Sequence, residues 1–202
     1  MNTMAKQSGF TLTEIMIVVG IFALIIGGSF ALLSSGQLSV SISEAQIRAE
    51  EEARRAMDKI SRELRLSETG KVLIYDALGG TALAAPNTGQ VLFFQVPVLD
   101  VDGTLKLNTE NELTWGTEDT ENKYIVYYLD ANSQQLLRNT CTQGEISTGI
   151  FTDQAATVAL DISNIAFQAN SDNLFTTELT SRGQIGQYIS SRTLRSSINL
   201  RN

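Results

Sequence analysis

The sequence contains no histidine at all. That removes the commonest general base and the commonest metal ligand, and with them serine–histidine and cysteine–histidine catalysis. A single cysteine, Cys141, excludes any disulfide within the chain, so the fold rests on core packing. Its setting among Asn139, Thr140, Thr142 and Gln143 suits a small buried or half-buried residue better than a reactive thiol. Basic residues are the minority: 15 Lys and Arg against 22 Asp and Glu leave a net charge of −7, which repels nucleic acid over most of the surface. Only 2 prolines are present, and the 43% hydrophobic content is that of a folded chain rather than a disordered one. Two hundred and two residues suit one domain plus one long helix.

What the chain does have is an uncharged run from Ile15 to Leu33, IMIVVGIFALIIGGSFALL. A bilayer-spanning helix needs about 20 such residues. A secretory signal peptide has a shorter apolar core, roughly 7–15 residues, followed by a small-residue cleavage site. Ser34-Ser35-Gly36 is a poor substitute for that site. A plain signal anchor gives no reason for Glu14, since a carboxylate inside a bilayer costs about 2.5–3.5 kcal/mol.

The segment KQSG followed by FTLTEIMIVVGIFAL resembles the prepilin processing signal of type IV pilins and type II secretion pseudopilins. The likeness rests on a short leader with Lys6, on Gly9 before the cut, and on Phe10 as first mature residue. Glu14 then stands fifth in the mature chain, ahead of the long apolar helix. The resemblance implies cleavage between Gly9 and Phe10 by prepilin peptidase, methylation of the new Phe10 amine, and assembly with other pilins or pseudopilins. It also implies that Glu14 neutralises the Phe10 amine of a neighbouring subunit, the pairing that buried charges require. Major pilins carry a proline near the middle of this helix. Gly27-Gly28-Ser29 stands close to that place, and two adjacent glycines act either as a site of local melting or as a close-packing face.

After Gln37 the pattern becomes amphipathic. Ala45, Ala49, Ala53, Met57, Ile60 and Leu64 recur at steps of three and four. Ala49, Ala53, Met57, Ile60 and Leu64 are the expected core between helix and head. The opposite face carries Glu44/Arg48, Glu50/Arg54, Glu51/Arg55 and Asp58/Arg62, each four apart with the acid first. It reads as a solvated face, part of which meets partner subunits. The helix is expected from Thr11 to about Leu66, with Gly70 closing it.

Beyond Gly70 the texture is that of strands: Lys71–Tyr75, Gln90–Val96, Lys123–Leu129, Gln135–Arg138, Val158–Gln168 and Tyr188–Leu200. Asp76–Gly89 and Asn108–Asn122 read as long polar loops. The expectation is an α+β, type IV pilin-like fold, a long N-terminal helix packed on an antiparallel sheet of about four to seven strands. Its expected organisation is a leader at 1–9, a membrane and assembly helix at 10–36, an amphipathic half at 37–68, and a β-rich head at 69–202. RAMDKISRELRLSETG, YYLDANSQQLLRNT and SSINLRN also resemble the J-type minor pseudopilins and the W-type minor pilins. Size supports a minor rather than a major subunit.

No metal or cofactor site is expected. Asp100-Val101-Asp102-Gly103 departs from calcium-loop spacing and reads as a hairpin turn between Leu99 and Leu105. Asp153, Asp161 and Asp172 have no partners at catalytic spacing, so no enzymatic activity is expected. The implied partners are other pilin-like subunits, prepilin peptidase and the bacterial inner membrane, with the head outside the cytoplasm and nucleic acid not expected. The rival function is a ligand-binding minor pilin, an adhesin or DNA-uptake subunit. Such a head should show a basic or aromatic strip, and few clusters exist beyond Arg192, Arg195 and Arg201.

Overall fold

A computed structural model describes residues 10–84, 87–170 and 173–201. Helix α1 runs from Leu12 to Leu64, 53 residues. The chain divides into two compact units inside this helix, Met1–Ser43 and Glu44–Asn202. In the second unit Ala45, Ala49, Ala53, Ala56, Met57, Ile60 and Leu64 are buried, a stripe recurring every three or four residues. The helix stops at Leu64, where turn bonds from Leu66 to Glu63 and from Ser67 to Leu64 replace the helical ladder. Gly70 therefore lies past the end, within a 3-10 turn at Thr69–Lys71.

Among the described residues the head forms three antiparallel sheets rather than the single sheet expected. The strands of the largest are β1 (Val72–Tyr75), β2 (Ala82–Leu83), β4 (Val91–Phe94), β8 (Lys123–Asp130), β9 (Gln135–Thr142) and β10 (Ala156–Ala159), in the order β10-β9-β8-β4-β1-β2. A four-stranded sheet is ordered β13-β12-β11-β3, from Tyr188–Asn199, Leu174–Ile185, Ile162–Ala169 and Asn87–Gly89. A small ribbon joins β5 (Val96–Pro97), β6 (Trp115–Thr117) and β7 (Thr120–Glu121). The two stretches expected as polar loops thus contribute β2 and β3, and β6 and β7.

The central strands of the six-stranded sheet are apolar on both faces because both faces are covered. Leu92, Phe94, Ile125, Tyr127 and Leu136 point into the core shared with α1 and the four-stranded sheet. Val91, Phe93, Val126 and Cys141 point the other way, onto Ile146 of the short helix α2 (Gln143–Thr148). A reciprocal cap starts α2: Thr142 and Glu145 bond each other's backbone, and Gly149 closes it in the left-handed region at φ 67°.

The run Val158–Gln168, expected as one strand, is two strands in different sheets. β10 pairs with β9, β11 pairs with β12, and Asp161 between them takes φ 56°. That left-handed residue turns the chain from one sheet to the other. Asp-Val-Asp-Gly at 100–103 is a hairpin turn: Gly103 N–H bonds the Asp100 carbonyl at 2.8 Å, Leu99 bridges Leu105, and Gly103 takes φ 79°. Cys141 is buried, and that burial pushes its thiol up to about 12.

Candidate assembly segment

Each half of α1 has its own chemistry. In the first unit the helix begins with a reciprocal cap. The Thr11 N–H and hydroxyl both donate to Glu14 Oε2 at 2.9 Å, and Glu14 N–H donates to Thr11 Oγ1 at 3.3 Å. The Glu14 carboxylate is thus occupied locally in the single chain, at the terminus where a negative charge suits the helix dipole. Phe10, just outside the helix, is 85% exposed. Gly9, the residue before the expected cut, lies outside the described residues, as do Lys6 and Asp172.

From Ile15 to Leu33 the large apolar side chains are all exposed, and the helix is long and apolar enough to cross a membrane. The helix runs unbroken through Gly27 and Gly28, and both glycines have open space where a Cβ would be. Of the two roles open to them, melting is not realised in the single chain. Four serines of this half satisfy their hydroxyls on the helix's own carbonyls. Ser29, Ser41 and Ser43 donate to carbonyls four residues back at 2.8–3.1 Å, and Ser35 donates to Leu32 at 2.9 Å. A hydroxyl bonded this way lets a polar residue sit in hydrocarbon at low cost.

In the second unit Ala49, Ala53, Met57, Ile60 and Leu64 are buried against the head. Small residues allow a close approach of helix and sheet, and β12 supplies the matching side. The Ser181 hydroxyl donates to the Ala49 carbonyl, and a side chain at Gly183 would run into the Ala45 carbonyl. Neither position was singled out from the sequence. The signal available was the alternation Phe175, Thr177, Leu179, Ser181, Gly183, whose polar members disguise a buried face.

The charged face is paired less regularly than the spacing predicts. Glu50–Arg54 closes at 2.7 Å and Glu51–Arg55 at 3.6 Å, with Glu52 also 3.4 Å from Arg55. Among the described residues, neither Glu44–Arg48 nor Asp58–Arg62 forms an ion pair. Two carboxylates instead reach the head. Glu63 takes the Arg138 Nε with both oxygens at 3.0 and 3.1 Å, and Glu52 accepts from the Leu160 N–H at 3.1 Å. Asp153 is likewise structural, holding Lys123 at 2.7 Å and the Thr140 hydroxyl at 2.8 Å. These bonds hold its carboxyl below the usual aspartate range, the Lys123 bond first. Among the described residues no group of three or more histidine, cysteine or acidic side chains is placed to hold a metal ion.

Residues 4–30 match the family model of the prokaryotic N-terminal methylation motif. The chain matches no curated protein sequence and no solved structure. The motif supports the type IV pilin and pseudopilin class, and with it processing by prepilin peptidase and assembly with other pilins. The exposed apolar helix and the motif together fit anchoring in the inner membrane. The fold is α+β and pilin-like, a long N-terminal apolar helix packed on antiparallel sheets.

Proposed function

We propose that this chain is a minor subunit of a type IV pilus or type II secretion pseudopilus, structural rather than catalytic, and placed in the initiating complex near the filament tip. Cleavage after Gly9 leaves the apolar helix on the mature protein as its anchor, with Phe10 as the methylated first residue and the head outside the cytoplasm. The observation that carries this reading is an apolar half-helix whose large side chains are exposed, within the methylation motif and with Glu14 at its start. Such a surface is satisfied by lipid in the membrane and by neighbouring helices in a filament. On assembly, Glu14 exchanges its bonds to Thr11 for the Phe10 amine of an adjacent subunit, so that neither charge is buried alone.

The test separates processing from assembly. The mature wild-type protein should begin at Phe10 and carry one added methyl group by intact mass. Glu14→Ala should still insert and still be cut, because removing a charge makes the segment more apolar and leaves the scissile bond unchanged. It should be missing from sheared filaments and from crosslinked partner complexes. Normal incorporation of the alanine variant would show that the carboxylate is not needed. A mature protein beginning at Met1 or near Gln37 would end the pilin reading itself.

A further inference from the structure

The chain leaves the six-stranded sheet at Gln95, between β4 and β5, and returns to it at β8. Between them lie the small ribbon and two tight hairpins, in which Leu99 bridges Leu105 and Leu107 bridges Leu113. Asn108 shapes the second hairpin, its Oδ1 accepting the N–H groups of Glu110 and Glu112 at 2.9 and 2.8 Å. Gly116 lets β7 come close, since a Cβ there would run into the Thr120 carbonyl. Lys106 is tied to Glu121 of β7 at 2.6 Å. The Asn122 N–H donates to the Trp115 carbonyl at 3.0 Å, and the Gln95 N–H to the Lys71 carbonyl at 3.1 Å. Lys71, Gln95 and Trp115 are thereby gathered at one place.

They line a cavity of about 580 Å³, within the roughly 300–1,000 Å³ of small-molecule sites. A second cavity of about 500 Å³ adjoins it and shares Lys71, Glu112, Leu113 and Trp115. Several polar groups of the lining are left unused. Gln95 is only 7% exposed; its side-chain N–H donates to the Lys123 carbonyl at 3.3 Å, and its Oε1 accepts no bond among the described residues. The Lys71 ammonium lies 5.7 Å from the centre of the Trp115 ring, and among the described residues it has no ion pair. The Thr114 hydroxyl and the Glu112 carboxylate are likewise without a hydrogen bond among the described residues. An acceptor held as far from bulk water as Gln95 Oε1 favours a ligand that brings a donor.

We propose that this cavity binds a neutral, hydroxyl-rich ligand, a short stretch of uncharged oligosaccharide. The charge of the walls selects the class. Two lysines, Lys71 and Lys106, are balanced by two acids, Glu112 and Glu121, so the lining carries no net charge. An anion would meet the carboxylates and a cation the ammonium groups. A wholly apolar ligand would leave Gln95 Oε1 and the Thr114 hydroxyl without partners. A sugar hydroxyl both donates and accepts, so it can give to Gln95 Oε1 or Glu112 and take from Lys71. The C–H face of a pyranose suits the apolar part of the lining, the Trp115 indole with Leu107 and Leu113.

Binding here does not depend on assembly, so its failure and that of the filament reading are distinguishable. Trp115 is the single tryptophan of the chain, and its emission therefore reports this cavity alone. The full chain is held in a zwitterionic detergent, because a sugar-headed one would compete. Titration with a panel of neutral hexose and N-acetylhexosamine trisaccharides should change that emission saturably for at least one member. Uronate and glucosamine trisaccharides should bind at least tenfold more weakly. Lys71→Met keeps the stem and removes the donor, and Thr114→Val keeps the shape and removes the hydroxyl. Each should weaken binding of the neutral sugar several-fold at an unchanged unfolding midpoint. Trp115→Leu, followed by calorimetry, should abolish binding; if that variant does not fold, the other two decide. The same sugars fixed to a surface separate the sources: tighter binding than in solution assigns a cell-surface glycan, equal affinity a soluble sugar. No emission change with any neutral member, tighter binding of a charged one, a response to neutral peptides in place of sugars, or indifference to both Lys71→Met and Thr114→Val would each overturn the proposal.

Discussion

The two halves of α1 are continuous in backbone and opposite in what they bury. Between Ile15 and Leu33 the side chains are large, apolar and exposed; between Ala45 and Leu64 the inward side chains are mostly alanine and fully buried. Hydrophobicity and burial run in opposite directions along one helix. The difference shows that burial follows what the chain can offer as a partner surface. The second half has a sheet whose Ser181 and Gly183 let the helix backbone come close, so small residues pack well there. In the first half the large apolar side chains are exposed, the surface that the proposed packing against lipid and other helices would use.

The sharpest way to break this comparison is to truncate an isoleucine in each half. Ile60→Ala removes a fully buried side chain and should cost the head about 2–5 kcal/mol, read as a lowered unfolding midpoint of the full chain in detergent. Ile21→Ala, at a side chain 53% exposed, should leave the same midpoint unchanged. Equal losses at both positions would mean that the first half also belongs to the folded core of the head.

A smaller effect is expected at the contact between helix and β12. Gly183→Ala places a Cβ against the Ala45 carbonyl, which is backbone and cannot swing aside, so helix and strand must separate. A loss of about 1–3 kcal/mol is the usual scale for such overpacking. Gly27→Ala, in the half with open space at that position, should leave head stability where it was. A harmless Gly183→Ala would show that the close approach is not needed.

The smallest effect concerns pH and lies away from α1. The Glu145 carboxyl is held down at about 2, first by the Thr142 backbone N–H and then by the Thr152 hydroxyl and N–H. A depressed folded-state value means that its contribution is present above the unfolded-state value, near 4.5, and is lost as pH falls from there toward about 2. Glu145→Gln should therefore lower head stability above about pH 4.5, where that contribution is present, leave it nearly unchanged near pH 2, and so flatten part of the acid limb. An unaltered acid limb would show that the α2 cap does not couple to the stability of the head.

The exposed apolar helix and the motif around it were legible in the sequence because their determinants are contiguous. Charge, apolar length and the order Gly9, Phe10, Glu14 are read in a single pass, and the match over residues 4–30 covers the same stretch. The alanine and isoleucine face from Ala49 to Leu64 was legible by its period for the same reason. Strands β1, β4, β8 and β13 were visible through β-branched and aromatic runs. Strand β12 was not, because Thr176, Thr177 and Ser181 look like a loop until packing partners supply their burial. Two carboxylates of the same helix reach the head, Glu63 to the Arg138 guanidinium and Glu52 to the Leu160 N–H, and helical spacing alone could not show these partners because they lie far away in sequence.

By itself, then, the sequence determined a long, membrane-compatible helix with a carboxylate at its start and an amphipathic continuation, all of it written in local order and period. Only the tertiary structure decided that Asp161 turns the chain from one sheet into another, that Gly183 lies beneath the helix, and that β13 is left with an open edge. Each of those depends on which distant segments become neighbours. That choice is made by the burial of several apolar faces at once, which no single window of residues contains.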